Sequence, residues 1–262
     1  MLVAAAICPH PPALVPAMAV GAAGELAECR AACGRAIDRL LAADLDLLGL
    51  VGAGPVTRRH DPGATGSLAP YGLAEPPYLA GPPHPAGPPH LAGPPHLAES
   101  PHPAGPPHPA GPPDAAGPAT LPLSLTIGRW LLADRQTPAL RLQELAADAG
   151  PDECARMGAA LAAGAARVGL LVLADGSGYP LQTPVGDDGR GTAYDEAVVA
   201  AVCGGDPAAL LALDPADDGR LWVAGRPALQ ALAGAVGARL RGQLLWRGAP
   251  HGVGYFVLTL TS

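Results

Sequence analysis

The sequence predicts an α/β domain in which a mixed sheet is flanked by helices and interrupted by a disordered insert rich in proline and histidine. Three observations carry this reading. Short apolar runs at Leu2–Cys8, Leu45–Val51 and Val168–Ala174 each stop at a cluster of turn-forming residues, as buried strands do. Segments with apolar residues at helical spacing lie between and after these runs. A hexapeptide built on Ala-Gly-Pro-Pro-His repeats from Ala80 to Pro113, and such a composition cannot form a core.

The first run ends in Pro9-His10-Pro11-Pro12. Proline terminates the strand and stiffens the backbone on both sides of the imidazole. Ligands of open α/β sheets bind beyond the carboxyl ends of the strands, so His10 stands where a metal ligand or an acid/base group would stand. A helix follows over roughly residues 24–43, its apolar side made by Leu26, Cys29, Cys33, Ile37, Leu40 and Leu41. Leu45–Val51 then completes a parallel β–α–β unit and ends in Gly52-Ala53-Gly54-Pro55.

Five of the eight histidines, His84, His90, His96, His102 and His108, sit in the repeat. In polyproline II six residues make two turns, which lines the imidazoles along one face about 19 Å apart. That spacing prevents two of them from sharing an ion while the segment stays extended. Residues 124–134 read as a helix, and another opens at Pro151 or Asp152 and runs to about Ala166. Val168–Ala174 is the best strand and ends in Asp175-Gly176-Ser177-Gly178-Tyr179. Helices are expected over residues 194–203, 207–213 and 226–241, then two strands near 243–247 and 254–261 joined by a hairpin-like return. The chain thus divides into residues 1–66, an insert at 67–118, and 119–262 completing the same domain.

Composition narrows the function. Hydrophobic residues make up 49% of the 262 positions but aromatics only 3%, so the core must be built from small aliphatic groups. All 16 basic residues are arginine, a chain-wide bias that strips clustered arginines of meaning. A net charge of −7 argues against nucleic-acid binding, which needs a basic face. No apolar stretch reaches the roughly 20 residues that span a bilayer, and the start lacks a basic signal region. A cytoplasmic protein with no membrane contact is expected, and assembly into a homo-oligomer stays open. The five cysteines contain no C-x-x-C pair; Cys29 and Cys33 share a helix face and read as buried small hydrophobes.

Three strand ends converge in this picture, offering His10, the Gly52–Pro55 turn with His60 beyond it, and Asp175 with Ser177. Two histidines and one carboxylate suit non-haem Fe(II), and His10, His60 and Asp175 have the right types. Ser177 follows Asp175 where a G-x-S-x-G elbow demands glycine, which weakens a serine hydrolase. Gly52-Ala53-Gly54 is only the start of a dinucleotide fingerprint, because Thr57 holds the place of the third glycine.

Several segments carry a family resemblance. They are Pro9-His10-Pro11-Pro12, Leu121 to Leu132, Tyr194-Asp195-Glu196 through Gly204 to Asp214, and Ala249 to Phe256. In that order they resemble the LigB-type superfamily of class III extradiol ring-cleavage dioxygenases, and most closely its small actinobacterial branch. The resemblance implies a LigB-like fold and ring opening of a catechol-type substrate by O2 at Fe(II), held by two histidines and a glutamate beside an acid/base histidine. His10 matches the first iron ligand. The second should follow the second strand, where Gly52–Pro55 stands and His60 could substitute by folding back. Asp175-Gly176-Ser177 occupies the acid/base position, and Gln230 stands nearest the glutamate. The expectation is an extradiol-dioxygenase-like protein with a degenerate metal site and altered or absent ring cleavage. His10 and His60 would serve the metal, Asp175 and Ser177 catalysis, and Tyr179, His251 and Gln230 a small aromatic ligand. Two alternatives are an active metal-dependent oxygenase using His10 with Asp175 or His60, and a metal-buffering or interaction role for the histidine repeat.

Overall fold

The computed structural model describes residues 1–19, 23–73, 120–178, 189–237 and 240–261. The repeat, with its expected disorder, and Tyr179 lie outside these residues. In chain order the elements are β1 (Leu2–Cys8), α1 (Ala27–Leu41), β2 (Leu47–Gly54), β3 (Arg58–His60), α2 (Leu123–Leu132), β4 (Ala139–Ala146), α3 (Pro151–Ala162), β5 (Val168–Leu173), α4 (Arg190–Gly204), α5 (Pro207–Leu211), α6 (Pro215–Arg220), α7 (Arg226–Ala235), β6 (Arg241–Gly248) and β7 (Tyr255–Thr261).

The strands form one mixed sheet in the order β3-β4-β2-β5-β1-β7-β6. β1, β5, β2 and β4 run parallel, with Cys8 opposite Leu173, Leu173 opposite Gly52 and Gly52 opposite Glu144. β7 joins β1 antiparallel, β6 joins β7, and the short β3 joins β4 on the far edge. Sequence pattern alone does not announce β3, β4 or α6. β4 lies outside β2, so the sheet is wider on that side than three convergent strand ends suggest.

Each strand alternates between two cores. Ala4, Ala6 and Cys8 of β1, Leu171 and Leu173 of β5, and Tyr255 and Val257 of β7 pack with α1 and α2. Ala5 and Ile7, Leu170 and Val172, and Phe256 and Leu258 face the opposite layer of α3, α4, α5 and α7. With few aromatics, the layers close through small residues. A Cβ on Gly158 of α3 would strike the Ala231 carbonyl of α7, and one on Gly234 would strike Ala155, so the two helices meet backbone to backbone.

Cys8, Cys29, Cys33 and Cys154 are buried free thiols, as expected of small hydrophobes. Burial pushes the Cys154 thiol up to about 11. Among the described residues no helix is long and apolar enough to cross a membrane.

Candidate functional site

Pairing of β1 with β5 decides where the first imidazole goes. Cys8 lies opposite Leu173, and the ladder continues as the Ala174 N–H donates to the Cys8 carbonyl at 3.0 Å. One step further the His10 N–H donates to Asp175 Oδ1 at 2.7 Å. The two residues that the sequence places at separate strand ends are therefore in contact. His10 Nδ1 lies 3.5 Å from the same oxygen, yet it is buried and makes no hydrogen bond. The side chains are 7% and 13% exposed. Burial pushes the Asp175 carboxyl above its ordinary value, opposed by the His10 imidazole and the His10 N–H.

Register brings a third group to this edge, one that no sequence motif marks. β7 pairs Leu258 with Ile7, and just before β7 Gly254 exchanges hydrogen bonds with Gly176 and Ser177, which sets Tyr255 beside the loop after β5. Tyr255 is 7% exposed and belongs to the same core face as Cys8 and Leu173. Burial first, then the Asp175 carboxylate and Cys29, hold its phenol above the ordinary range. Its hydroxyl has no hydrogen-bond partner among the described residues. The signal in the sequence is a tyrosine opening the final strand, legible only once that strand is known to lie beside β1.

Of the other expected site residues, Ser177, His60 and Gln230 are engaged elsewhere. Ser177 is a brace: its N–H donates to Asp195 Oδ1 at 2.7 Å and its hydroxyl to Asp195 Oδ2 at 3.2 Å. Its carbonyl accepts from the Gly254 N–H at 2.7 Å. A Cβ at Gly176 or Gly254 would collide with the Asp195 carboxylate, so these glycines make room for it. With its hydroxyl spent on a carboxylate, Ser177 is not a nucleophile in this arrangement.

His60 sits on edge strand β3, four strands from β1, which is about 19 Å at the usual strand spacing. Its Nε2 lies 2.7 Å from Glu144 Oε2, with both side chains 1% exposed. It does not meet His10. Gln230 is fully buried on α7. It accepts from Arg226 Nη1 at 2.7 Å and donates to the Leu211 and Leu213 carbonyls at 3.2 and 3.0 Å. Its polar atoms brace the end of α5, which leaves it no ligand to hold. His251 lies in the turn Pro250–Gly252, followed by Val253, which bridges Gly178 and so brings the turn beside the loop after β5.

The donor set at His10 is thus one imidazole and one carboxylate. A facial Fe(II) site needs a second imidazole, and both residues expected to complete it are engaged elsewhere. Among the described residues no three histidine, cysteine, aspartate or glutamate side chains are grouped to hold an ion. The described residues at this edge do not fit the iron implied by the resemblance.

No family model matches the chain, and no curated protein matches it. Among solved structures the chain is similar to the crystal structure of an uncharacterized protein from Escherichia coli K12, with a TM-score of 0.47 and 12% identity over 98% of this chain and 99% of that one.

The buried carboxyl yields a pH prediction. A folded-state carboxyl held above its ordinary value of 3.8 binds more protons than the unfolded chain just above that pH. Stability therefore falls as pH rises from 3.8 to the raised value, and the deficit persists at neutral pH. Asp175→Asn keeps an oxygen for the His10 N–H and removes the charge. The variant is expected to melt higher than the native chain at pH 7, with the gap closing as pH falls through that window. Thermal unfolding across the range checks it; a variant that melts lower at pH 7 shows attraction to His10 outweighing burial.

Proposed function

We propose that the protein is an extradiol-dioxygenase-like chain that keeps a small-ligand cleft at the carboxyl edge of β1 and β5 and has lost the iron site. The supporting observation is the contrast between residues. His10 keeps an imidazole nitrogen without a partner beside Asp175, while His60 and Gln230 are consumed by internal bonds. Buried polar atoms without partners are rare, and a bound ligand is one way to satisfy them. The ligand class follows from the resemblance: a small hydroxylated aromatic, held by hydrogen bonds rather than by a metal.

Full-length protein purified without an affinity tag tests this. Bound iron and zinc per chain are expected to be the same in native protein and His10→Ala, whatever the repeat retains. Catechol is expected to bind the native chain by calorimetry, with no O2 uptake, and to bind His10→Ala at least tenfold more weakly. Stoichiometric iron lost in His10→Ala, together with catechol-dependent O2 consumption, would overturn the proposal and favour an active oxygenase.

A further inference from the structure

The structure assigns a binding site for one soft monovalent cation, Cu(I), to the paired thiols of Cys29 and Cys33 on α1, with Arg30 as its counter-charge. The inference does not depend on the cleft proposed above.

Three of the buried thiols meet at one place. Cys29 and Cys33 lie four residues apart on α1, so their side chains share one helix face. That face packs in the same core as Cys8 of β1. Cys33 is in hydrogen-bond contact with Cys29 on one side and with Cys8 on the other. All three are fully buried and free of disulfides. Burial of a small apolar group accounts for each thiol singly. It does not account for the cation beside them.

Arg30 is the second observation. Its Nη2 donates to the Ala23 carbonyl. Its Nη1 is buried and has no hydrogen-bond partner among the described residues. Both Cys29 and Cys33 lie within electrostatic reach of the guanidinium. Beside neutral thiols that nitrogen has no anion to pair with; beside thiolates it has one. The hydrogen bond with Cys33, then burial, hold Cys29 as a thiol, and Arg30 pulls the other way. Cys29 also stands in the first turn of α1, where the helix dipole favours negative charge. Helix ends fray, which gives an ion access through that turn.

The ligand set selects the ion. The three sulfurs do not close around one point, which leaves a four-coordinate zinc or iron–sulfur centre without its ligands. Two thiolates in line suit Cu(I), the ion that soft sulfur ligands favour. Binding breaks two S–H bonds, forms two Cu–S bonds and releases two protons to solvent, with no change of oxidation state. The resulting dithiolate complex carries one negative charge, which Arg30 neutralises. A divalent ion on the same pair would be neutral and leave Arg30 unpaired. Cys8 keeps its proton and remains a neighbour of Cys33.

The probe is Cu(I), delivered without oxygen from a coloured Cu(I) chelator to the native full-length chain at less than one equivalent. Thiolate-to-copper absorption in the ultraviolet is expected to rise as the chelator colour falls. X-ray absorption at the copper edge should show two sulfur ligands and no nitrogen, a reading that needs no variant. Cys29→Ala and Cys33→Ala, each folded by circular dichroism, should lose the absorption. Cys154→Ala and Cys203→Ala should keep it. Arg30→Gln should weaken binding about tenfold. Nitrogen ligands alone would place copper on the histidine repeat and overturn the assignment. So would absorption that survives both Cys29→Ala and Cys33→Ala, or that disappears only in Cys203→Ala. A thiol count that falls by two per chain without bound copper would show a disulfide instead, and also overturns it.

Discussion

Arg226→Ala is expected to cost about 3–5 kcal/mol of unfolding free energy, the usual result of breaking a buried charge network from one side. Arg226 is fully buried at the start of α7 and donates to four groups. Nε reaches Asp218 Oδ2 at 2.7 Å, Nη1 reaches the Ala149 carbonyl at 2.9 Å and Gln230 Oε1 at 2.7 Å, and Nη2 reaches the Ala147 carbonyl at 3.0 Å. One guanidinium therefore ties the β4–α3 loop, α6 and α7 together, and through Gln230 the end of α5. Burial pushes the Asp218 carboxyl up while Arg226 pulls it down, so losing the cation leaves that acid with the unfavourable part. Domains of this size are stable by only about 5–15 kcal/mol, so the loss is a large fraction of the total. Arg226→Lys should recover little, because one ammonium cannot reproduce the planar fork. Urea unfolding followed by circular dichroism reads the change; a loss below 1 kcal/mol would show that these bonds carry no net stability.

Tertiary networks of this kind decide which parts of the molecule are legible in its sequence. Elements set by one local pattern are easily recognised. β1, β5 and α1 lie within a few residues of where the sequence predicts them, because an apolar run before a turn or a 3.6-residue stripe needs no partner to be recognised. β4 is hidden, because its apolar pattern is broken by Gln143 and Glu144. Those two polar residues are buried there only because β3 and the preceding turn satisfy them. A segment whose polarity is cancelled by tertiary partners looks like a loop in one dimension.

The site divides in the same way. His10 and Asp175 each follow a strong strand, so their convergence is visible in outline. Tyr255 does not stand out, because its place at this edge comes from antiparallel pairing of the last strand with the first. Gln230 and Ser177 resemble site residues in the sequence because polar groups near apolar runs invite that reading. In the fold their donors and acceptors are matched by Arg226, two carbonyls and Asp195. Asp195 itself is a buried carboxylate on α4, and without the loop after β5 nothing distinguishes it from a solvated helix residue.

His60 gives the sharpest separation between a metal ligand and a structural histidine. Its partner Glu144 also accepts from the Val56 N–H at 3.2 Å and lies 3.5 Å from Arg58 Nε, so the carboxylate pins the whole turn between β2 and β3 onto β4. A Cβ on Gly54 would overlap the Glu144 side chain, so the carboxylate folds back over the end of β2. Glu144→Leu strands a buried imidazole and an amide; His60→Ala removes the closest partner of a buried carboxylate and leaves a void beside it. Each is expected to lower stability by about 3–5 kcal/mol. The pair Glu144→Leu with His60→Phe should recover much of that loss, because apolar groups of similar volume replace both partners of a buried hydrogen bond at little net cost. The coupling in the double-mutant cycle, closed with His60→Phe alone, should exceed about 1 kcal/mol. Metal content is expected to be untouched in all four variants, measured on the same protein. His60→Ala that keeps its denaturation midpoint but loses a bound ion would reverse this assignment and bring the imidazole back toward His10.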